Sequence, residues 1–411
     1  MKKVSFYSLL LSVFVAAIFS LVACNNSSDK KPEQTKLSIV TTIYPEYAWV
    51  KEILGQRADS VELTLLIKNG VDLHSYKPTA QDIAKIASAN MVVYVGGESD
   101  KWIKDALAAT PKKGRSEINL MEALGDRVKA EEIVEGMEGF ETKDERRETK
   151  EISSEEEHHH HHHEEHAEEH EHEHHSEHAE AHEHDEHHNM HAQHRSKIGK
   201  KHEHHDEHAE EHEHHSEHAE AHEHHHDHEH EIENDEHVWL SLKNAEIFVQ
   251  KITVELAKLD LAHGTAYKDN ATDYIARIKA LDSDYRTAIE SASRKTILFG
   301  DRFPFRYLVD DYGIKYYAAF VGCSAESEAS FETIAFLAGK MDSDSLPAIF
   351  TIEKGNQKIA TAILAASKNS KKAQILTLNS MQSVTEQQIA EGADYLSIMK
   401  SNLEVLKNAL K

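Results

Sequence analysis

Thirty-five histidines stand in this 411-residue chain, and all but three of them lie between His158 and His230. Neutral imidazole is a good ligand for Zn²⁺, Ni²⁺, Cu²⁺ and iron. The Glu and Asp residues interleaved with these histidines add a negative potential that concentrates divalent cations. Such a tract captures several ions loosely, because ligand sets are degenerate and each coordination costs chain entropy. Protonation near pH ~6.5 releases metal, since imidazolium has no lone pair to donate. The zinc-protease pattern H-E-x-x-H matches at His170–His174 and His222–His226, but a segment built of His and Glu makes that match nearly inevitable. The run His158–His163 continues into the same pattern and reads as part of a natural tract rather than a tag.

His74, His237 and His263 are the histidines outside the tract. His74 lies in Gly70-Val71-Asp72-Leu73-His74-Ser75-Tyr76-Lys77-Pro78, between an apolar run and a helix that begins at Thr79. That places it at the carboxyl edge of a sheet, where α/β proteins bind ligands. His237 lies in Asp235-Glu236-His237-Val238-Trp239-Leu240, where the tract rejoins ordinary sequence. His263, in Leu261-Ala262-His263-Gly264, reads as a structural helix-end residue. Two cysteines exclude a disulfide-stapled scaffold. Cys323, in Phe320-Val321-Gly322-Cys323-Ser324, reads either as a buried structural thiol or as a metal ligand.

The elements that position these residues are recognisable from composition. Residues 138–236 hold 35 acids and 8 bases, whereas the remainder balances at 38 and 38. The chain is therefore a neutral globular protein carrying one insert with no aromatic residue between Phe140 and Trp239, too apolar-poor to order itself. The insert repeats internally, with Ser176–His184 recurring at Ser216–His224. No basic footprint exists for nucleic acid. At the amino end, Lys2 and Lys3 precede an apolar run that closes on Leu21-Val22-Ala23-Cys24. This reads as a signal peptide over 1–24 whose lipobox makes Cys24 the lipidated first residue, with 25–36 as a flexible tether.

Short apolar runs alternate with helical patterns on both sides of the insert, which argues for parallel α/β sheets. Strands are expected at 37–43, 61–67, 91–95, 296–299, 314–320, 348–352 and 374–378. One helix stands apart. Over 265–292 there is no Gly or Pro, and Tyr267, Ala271, Tyr274, Ile278, Leu281, Tyr285 and Ala288 recur at alternating spacings of four and three. A rod of that length suits a strut between two lobes, or a long surface helix of one domain.

Thr41-Thr42-Ile43-Tyr44-Pro45, Gly70–Pro78 with His74, Val93-Tyr94-Val95-Gly96-Gly97 and His237-Val238-Trp239-Leu240 closely resemble the substrate-binding lipoproteins of bacterial zinc and manganese ABC importers. The likeness spans residues 37–411 apart from the insert, and a His-rich insert before the second ligand motif resembles the zinc-specific branch. The resemblance implies two α/β lobes with parallel sheets, an N-terminal lobe over 37–264 and a C-terminal lobe over 293–411. One long helix joins them, and a metal sits in the cleft between. It implies His74 and His237 as the first two ligands. The third position falls at Asp301 in Gly300-Asp301-Arg302, and the fourth at Asn379 in Leu378-Asn379-Ser380. Hard oxygen donors at the last two positions leave Mn²⁺ open beside Zn²⁺.

The expected function is an extracytoplasmic, lipid-anchored, monomeric zinc receptor that serves a membrane permease with a separate ATPase. Its own chain has no G-x-x-x-x-G-K-[ST] loop and no enzymatic role. The rivals are a manganese or nickel receptor of the same fold, and a metal buffer acting through the histidine tract. A metallohydrolase using His74, His237 and Asp301 lacks an obvious general base.

Overall fold

The computed structural model describes residues 36–139, 233–324, 326, 328–368 and 371–411. The expected signal peptide, Cys24 and nearly all of the histidine tract lie outside the described residues. Among the described residues, no helix is long and apolar enough to cross a membrane.

Two four-stranded parallel sheets carry the fold. The first holds β1 (Ser38–Thr41), β2 (Glu62–Leu65), β3 (Met91–Tyr94) and β4 (Ser116–Asn119) in the order β2-β1-β3-β4. The second holds β5 (Thr296–Phe303), β6 (Lys315–Val321), β7 (Ala348–Ile352) and β8 (Gln374–Leu378) in the order β6-β5-β7-β8. Each winding places its first strand inside the sheet and reverses direction beside it. The carboxyl ends at such a reversal form a crevice. The inner strands β3 and β7 are buried along their whole length, as expected where helices cover both faces. β4 was not anticipated: Ser-Glu-Ile-Asn is an edge strand, half polar, with no apolar run to betray it.

The long helix is Gly264–Glu290, 27 residues, set against 265–292 from the sequence. Tyr267, Ala271, Tyr274, Ile278, Leu281 and Tyr285 form its buried stripe, but the last member is Ile289 rather than Ala288. A 3.6-residue turn drifts against a 3.5-residue repeat, so the buried face has advanced one position by the end of the rod. The helix packs along Leu242–Leu259 and on Tyr44–Leu54.

It is not the sole connection. The C-terminal helix Tyr395–Ala409 returns from the second sheet to pack on the long helix, where Tyr285 donates its hydroxyl to the Met399 carbonyl at 2.6 Å. The Trp49 ring lies 5.5 Å from Phe248 and 5.2 Å from Tyr395. One hydrophobic core thus runs from Val40 and Val92 through these helices to Phe299 and Phe350. A second, smaller cluster around Leu298, Leu337 and Ile363 covers another face of the second sheet.

The expected boundaries shift accordingly. Residues 129–137, assigned to the first lobe from sequence, and Glu138, assigned to the insert, lie along the second half: the Glu138 amide donates to the Ala319 carbonyl at 3.0 Å, and the Lys129 amide to the Tyr307 hydroxyl at 3.0 Å. Asp235 and Glu236, assigned to the insert, are buried parts of the fold. An antiparallel bridge between Ala130 and Asn234 joins the two flanks of the tract.

Candidate metal centre

The centre is assembled from loops at the carboxyl ends of strands of both sheets. After β2, the Asp72 carboxylate accepts the His74 amide at 3.0 Å and caps the single 3₁₀ turn Leu73–Ser75. That turn aims the His74 ring into the crevice. After β3, the Asp100 carboxylate accepts the Val95 and Gly96 amides, both at 2.8 Å, and folds the loop that carries Ser99. Gly96 sits at φ 92°, and a Cβ there would lie 1.9 Å from Asn119 Oδ1, so glycine is required at this bend. Ser99 Oγ then meets His74 Nδ1 at 2.6 Å, and the Ser99 amide donates to Glu236 Oε1 at 2.8 Å.

His237 is fully buried. Asp235 Oδ1 accepts both its amide, at 2.8 Å, and its ring Nδ1–H, at 2.9 Å. Donation at Nδ1 turns Nε2 into the crevice, where an unprotonated Nε2 can serve a metal. His74 is oriented by a partner at Nε2 itself. Arg302 donates to Gln382 Oε1 at 3.1 Å, which turns the Gln382 NH₂ toward His74 Nε2 at 3.2 Å, so that nitrogen must accept. Burial, and then the neighbouring His237, depress the His74 pKa to about 3, so the ring is neutral. His74 Nε2 and His237 Nε2 face one another at 3.1 Å, a separation that a shared proton or a shared metal ion can bridge.

Cys323 completes a trio whose ligand atoms all lie within 4.8 Å of one another. It stands in the loop after β6. Its amide donates to Glu131 Oε1 at 3.0 Å, and its thiol hydrogen-bonds the same carboxylate. Burial, together with Glu131, Glu236 and Asp235, raises the metal-free thiol pKa. Gly322 permits the approach. A Cβ there would lie 3.0 Å from the His237 ring and 2.9 Å from the Phe303 carbonyl.

The structure brings His74 and His237 together as the sequence implies. It does not bring Asp301 or Asn379 into the trio. The Asp301 oxygens accept the amides of Arg302, at 2.9 Å, and Ile352, at 3.2 Å, which secure a β-bulge between Phe299 and Arg302. Asp301 does border the adjoining cavity of about 400 Å³ together with Asp72, His74 and Arg302. The Asn379 side chain accepts the Met381 amide at 2.8 Å, and its backbone is clasped by Asn402 at 2.8 Å on both sides. It shapes a turn, as asparagine after a strand commonly does. Arg302, next to the expected ligand, makes an ion pair with Asp72 across the crevice. Burial pushes the Asp72 carboxyl up, but Arg302 and His74 outweigh it and hold the group below its ordinary range. His263 meets Asp260 at 2.8 Å beside the start of the long helix, the structural place read from sequence. Ser99, Gln382 and Asp235 carried no motif of their own. Only the position of Asp235, two residues before His237, was a usable signal.

Two parallel-sheet halves bound by a long helix, with nitrogen and sulfur donors meeting where their strand ends converge, define a bilobal binding protein with a metal-type site. The chain belongs to the ZnuA family, described as the periplasmic component A of a zinc-uptake complex, whose model matches residues 39–409. It is 28% identical over 400 residues to the high-affinity zinc uptake system protein ZnuA of Bacillus subtilis, covering 96% of each chain. It is also 28% identical over 409 residues to the zinc-binding lipoprotein AdcA of Streptococcus pneumoniae, but spans only 61% of that protein's length. The metal-dependent lipoprotein YcdH of B. subtilis superposes with a TM-score of 0.58 at 22% identity, covering 92% of this chain and all of that one. The Zn(II)-bound ZnuA-like domain of S. pneumoniae AdcA superposes at 0.55 and 23% identity, covering 91% and 99%. These superpositions establish the shared fold.

Proposed function

We propose that this chain is an extracytoplasmic zinc receptor that delivers Zn²⁺ to the permease of an ABC importer powered by a separate ATPase. The observation that carries this reading is the pair of imidazole nitrogens that face one another at 3.1 Å, each ring oriented by a partner at its far-side Nδ1, Ser99 for His74 and Asp235 for His237. The names of the relatives, zinc-binding or zinc uptake proteins, support the same ion. A hard-ion receptor for Mn²⁺ finds less support, because among the described residues the ligand-type atom that clusters with the pair is a thiol rather than a carboxylate. Lipidation at Cys24 would hold the receptor at the membrane, and the histidine tract would raise the local zinc concentration. In this reading zinc is cargo.

Competitive titration with a zinc chelator tests this. The expected result is one tight Zn²⁺ per chain above a weak background, lost in His74→Ala. Deleting the tract should lower total stoichiometry and leave the tight site within a few-fold. Tight binding that survives His74→Ala and disappears with the tract would make the protein a metal buffer instead.

A further inference from the structure

We infer that Cys323 is the third protein donor of the cleft, so that the cargo is held by a His₂Cys set and thiophilic divalent ions such as Zn²⁺ and Cd²⁺ are selected over Mn²⁺. The inference rests on the receptor reading and concerns the same site. Zn–N bonds of about 2.0–2.1 Å and Zn–S bonds of about 2.3 Å place the donors of a tetrahedral site about 3.3–3.6 Å apart. The histidine nitrogens are already at 3.1 Å, and the thiol is within 4.8 Å of both. Closing the longest edge by about 1 Å completes the geometry.

Three further observations converge on the sulfur. The two oxygen-bearing residues that the family motifs bring to these positions, Asp301 and Asn379, have their side-chain oxygens occupied by backbone amides. Arg302, beside Asp301, presents a cation that cannot ligate metal. Gly322 draws the β6 loop against the His237 ring at a distance that any larger residue would prevent, which sets Cys323 beside the histidines. Binding replaces the S–H bond with a sulfur–metal bond, and the proton leaves by way of the Glu131 carboxylate that the thiol faces. One thiolate and two neutral imidazoles leave the fourth position of a tetrahedral ion for water. Thiolate is a soft donor that suits zinc and cadmium, whereas manganese prefers oxygen.

Cobalt(II) reports the donor directly, because a thiolate ligand adds an intense near-ultraviolet charge-transfer band that imidazole and carboxylate do not. The full chain carrying Cys24→Ser retains one thiol and serves as the reference. One equivalent of Co²⁺, added with a weak chelator that keeps the histidine tract empty, should give that band. Adding Cys323→Ser should abolish it, and His74→Ala should abolish it together with tight binding. Zinc affinity should fall by more than about 100-fold in Cys323→Ser, exceeding the loss typical of outer-shell changes. Manganese affinity should change by less than about threefold. The metal-free melting temperatures of reference and variant should coincide, so that the loss is assigned to the donor. Tight zinc that depends on His74, with no thiolate band and equal affinity in Cys323→Ser, overturns the cysteine ligand and leaves the receptor reading standing. No tight zinc outside the tract overturns the receptor reading itself.

Discussion

His74 and His237 owe their chemistry to atoms on their far sides. Ser99 meets the Nδ1 of His74 and Asp235 the Nδ1 of His237, so each ring turns Nε2 into the crevice. The two histidines were legible because a lone His beside a strand end, within a family motif, has few other uses. Asp301 and Asn379 stand outside the trio, and a motif position does not reveal which hydrogen bond wins: short polar side chains after a strand tend to capture nearby backbone amides. Behind the centre lies a buried carboxylate with a different consequence. Burial, and then the charge of Glu236, lift the Asp100 pKa from its ordinary 3.8 to about 7, against the two amides that it accepts. Between those values the folded chain keeps a proton that the unfolded chain has released. The contribution of this group to stability should therefore fall as pH rises from about 4 to about 7, by up to about 1.4 kcal/mol per pH unit, while the depressed His74 contributes a rise over much of the same range. Thermal unfolding of the metal-free protein across that range checks it. Asp100→Asn should remove the falling component, so that its stability rises relative to the parent's as pH goes from about 4 to about 7, and parallel profiles would sink the assignment.

At the scale of elements, the crevice is set by turns more than by strands. The 3₁₀ turn capped by Asp72 presents His74, and the bulge at Gly300-Asp301 re-phases β5 so that Arg302 pairs in register with Phe320 and its side chain meets Asp72. No periodicity reveals a one-residue bulge. Asp72 thus serves both halves, shaping the histidine turn with one oxygen and taking Arg302 with the other. Arg302 also holds a positive charge near the centre, where it disfavours a second cation. Arg302→Gln should tighten zinc binding on the order of tenfold and destabilise the metal-free chain by roughly 1–3 kcal/mol, between the values for exposed and buried pairs. Isothermal titration and thermal unfolding on the same variant measure both. Weaker zinc binding would show instead that the ion pair holds the His74 turn in place.

Across the whole molecule, alternating strands and helices and the long rod were readable because they follow periods of apolar residues. The return of Tyr395–Ala409 onto Trp49 and the long helix was not, since it is a choice among equally apolar faces. Its effect is that the two sheets share one core. Zinc should therefore slow amide exchange in the loops at 66–76 and 322–324 while leaving Gly264–Glu290 and Tyr395–Ala409 unchanged. Faster exchange in those helices without metal would reveal a hinge instead. A carrier whose halves are fused in this way has no inexpensive way to gape. In the receptor reading proposed above, cargo would then depart by substitution, as an incoming ligand entered from the cavity that Asp72, His74 and Arg302 border. Dwell time then belongs to the recipient rather than to the carrier: the same ion can stay bound through long diffusion and still leave promptly when the right competitor arrives.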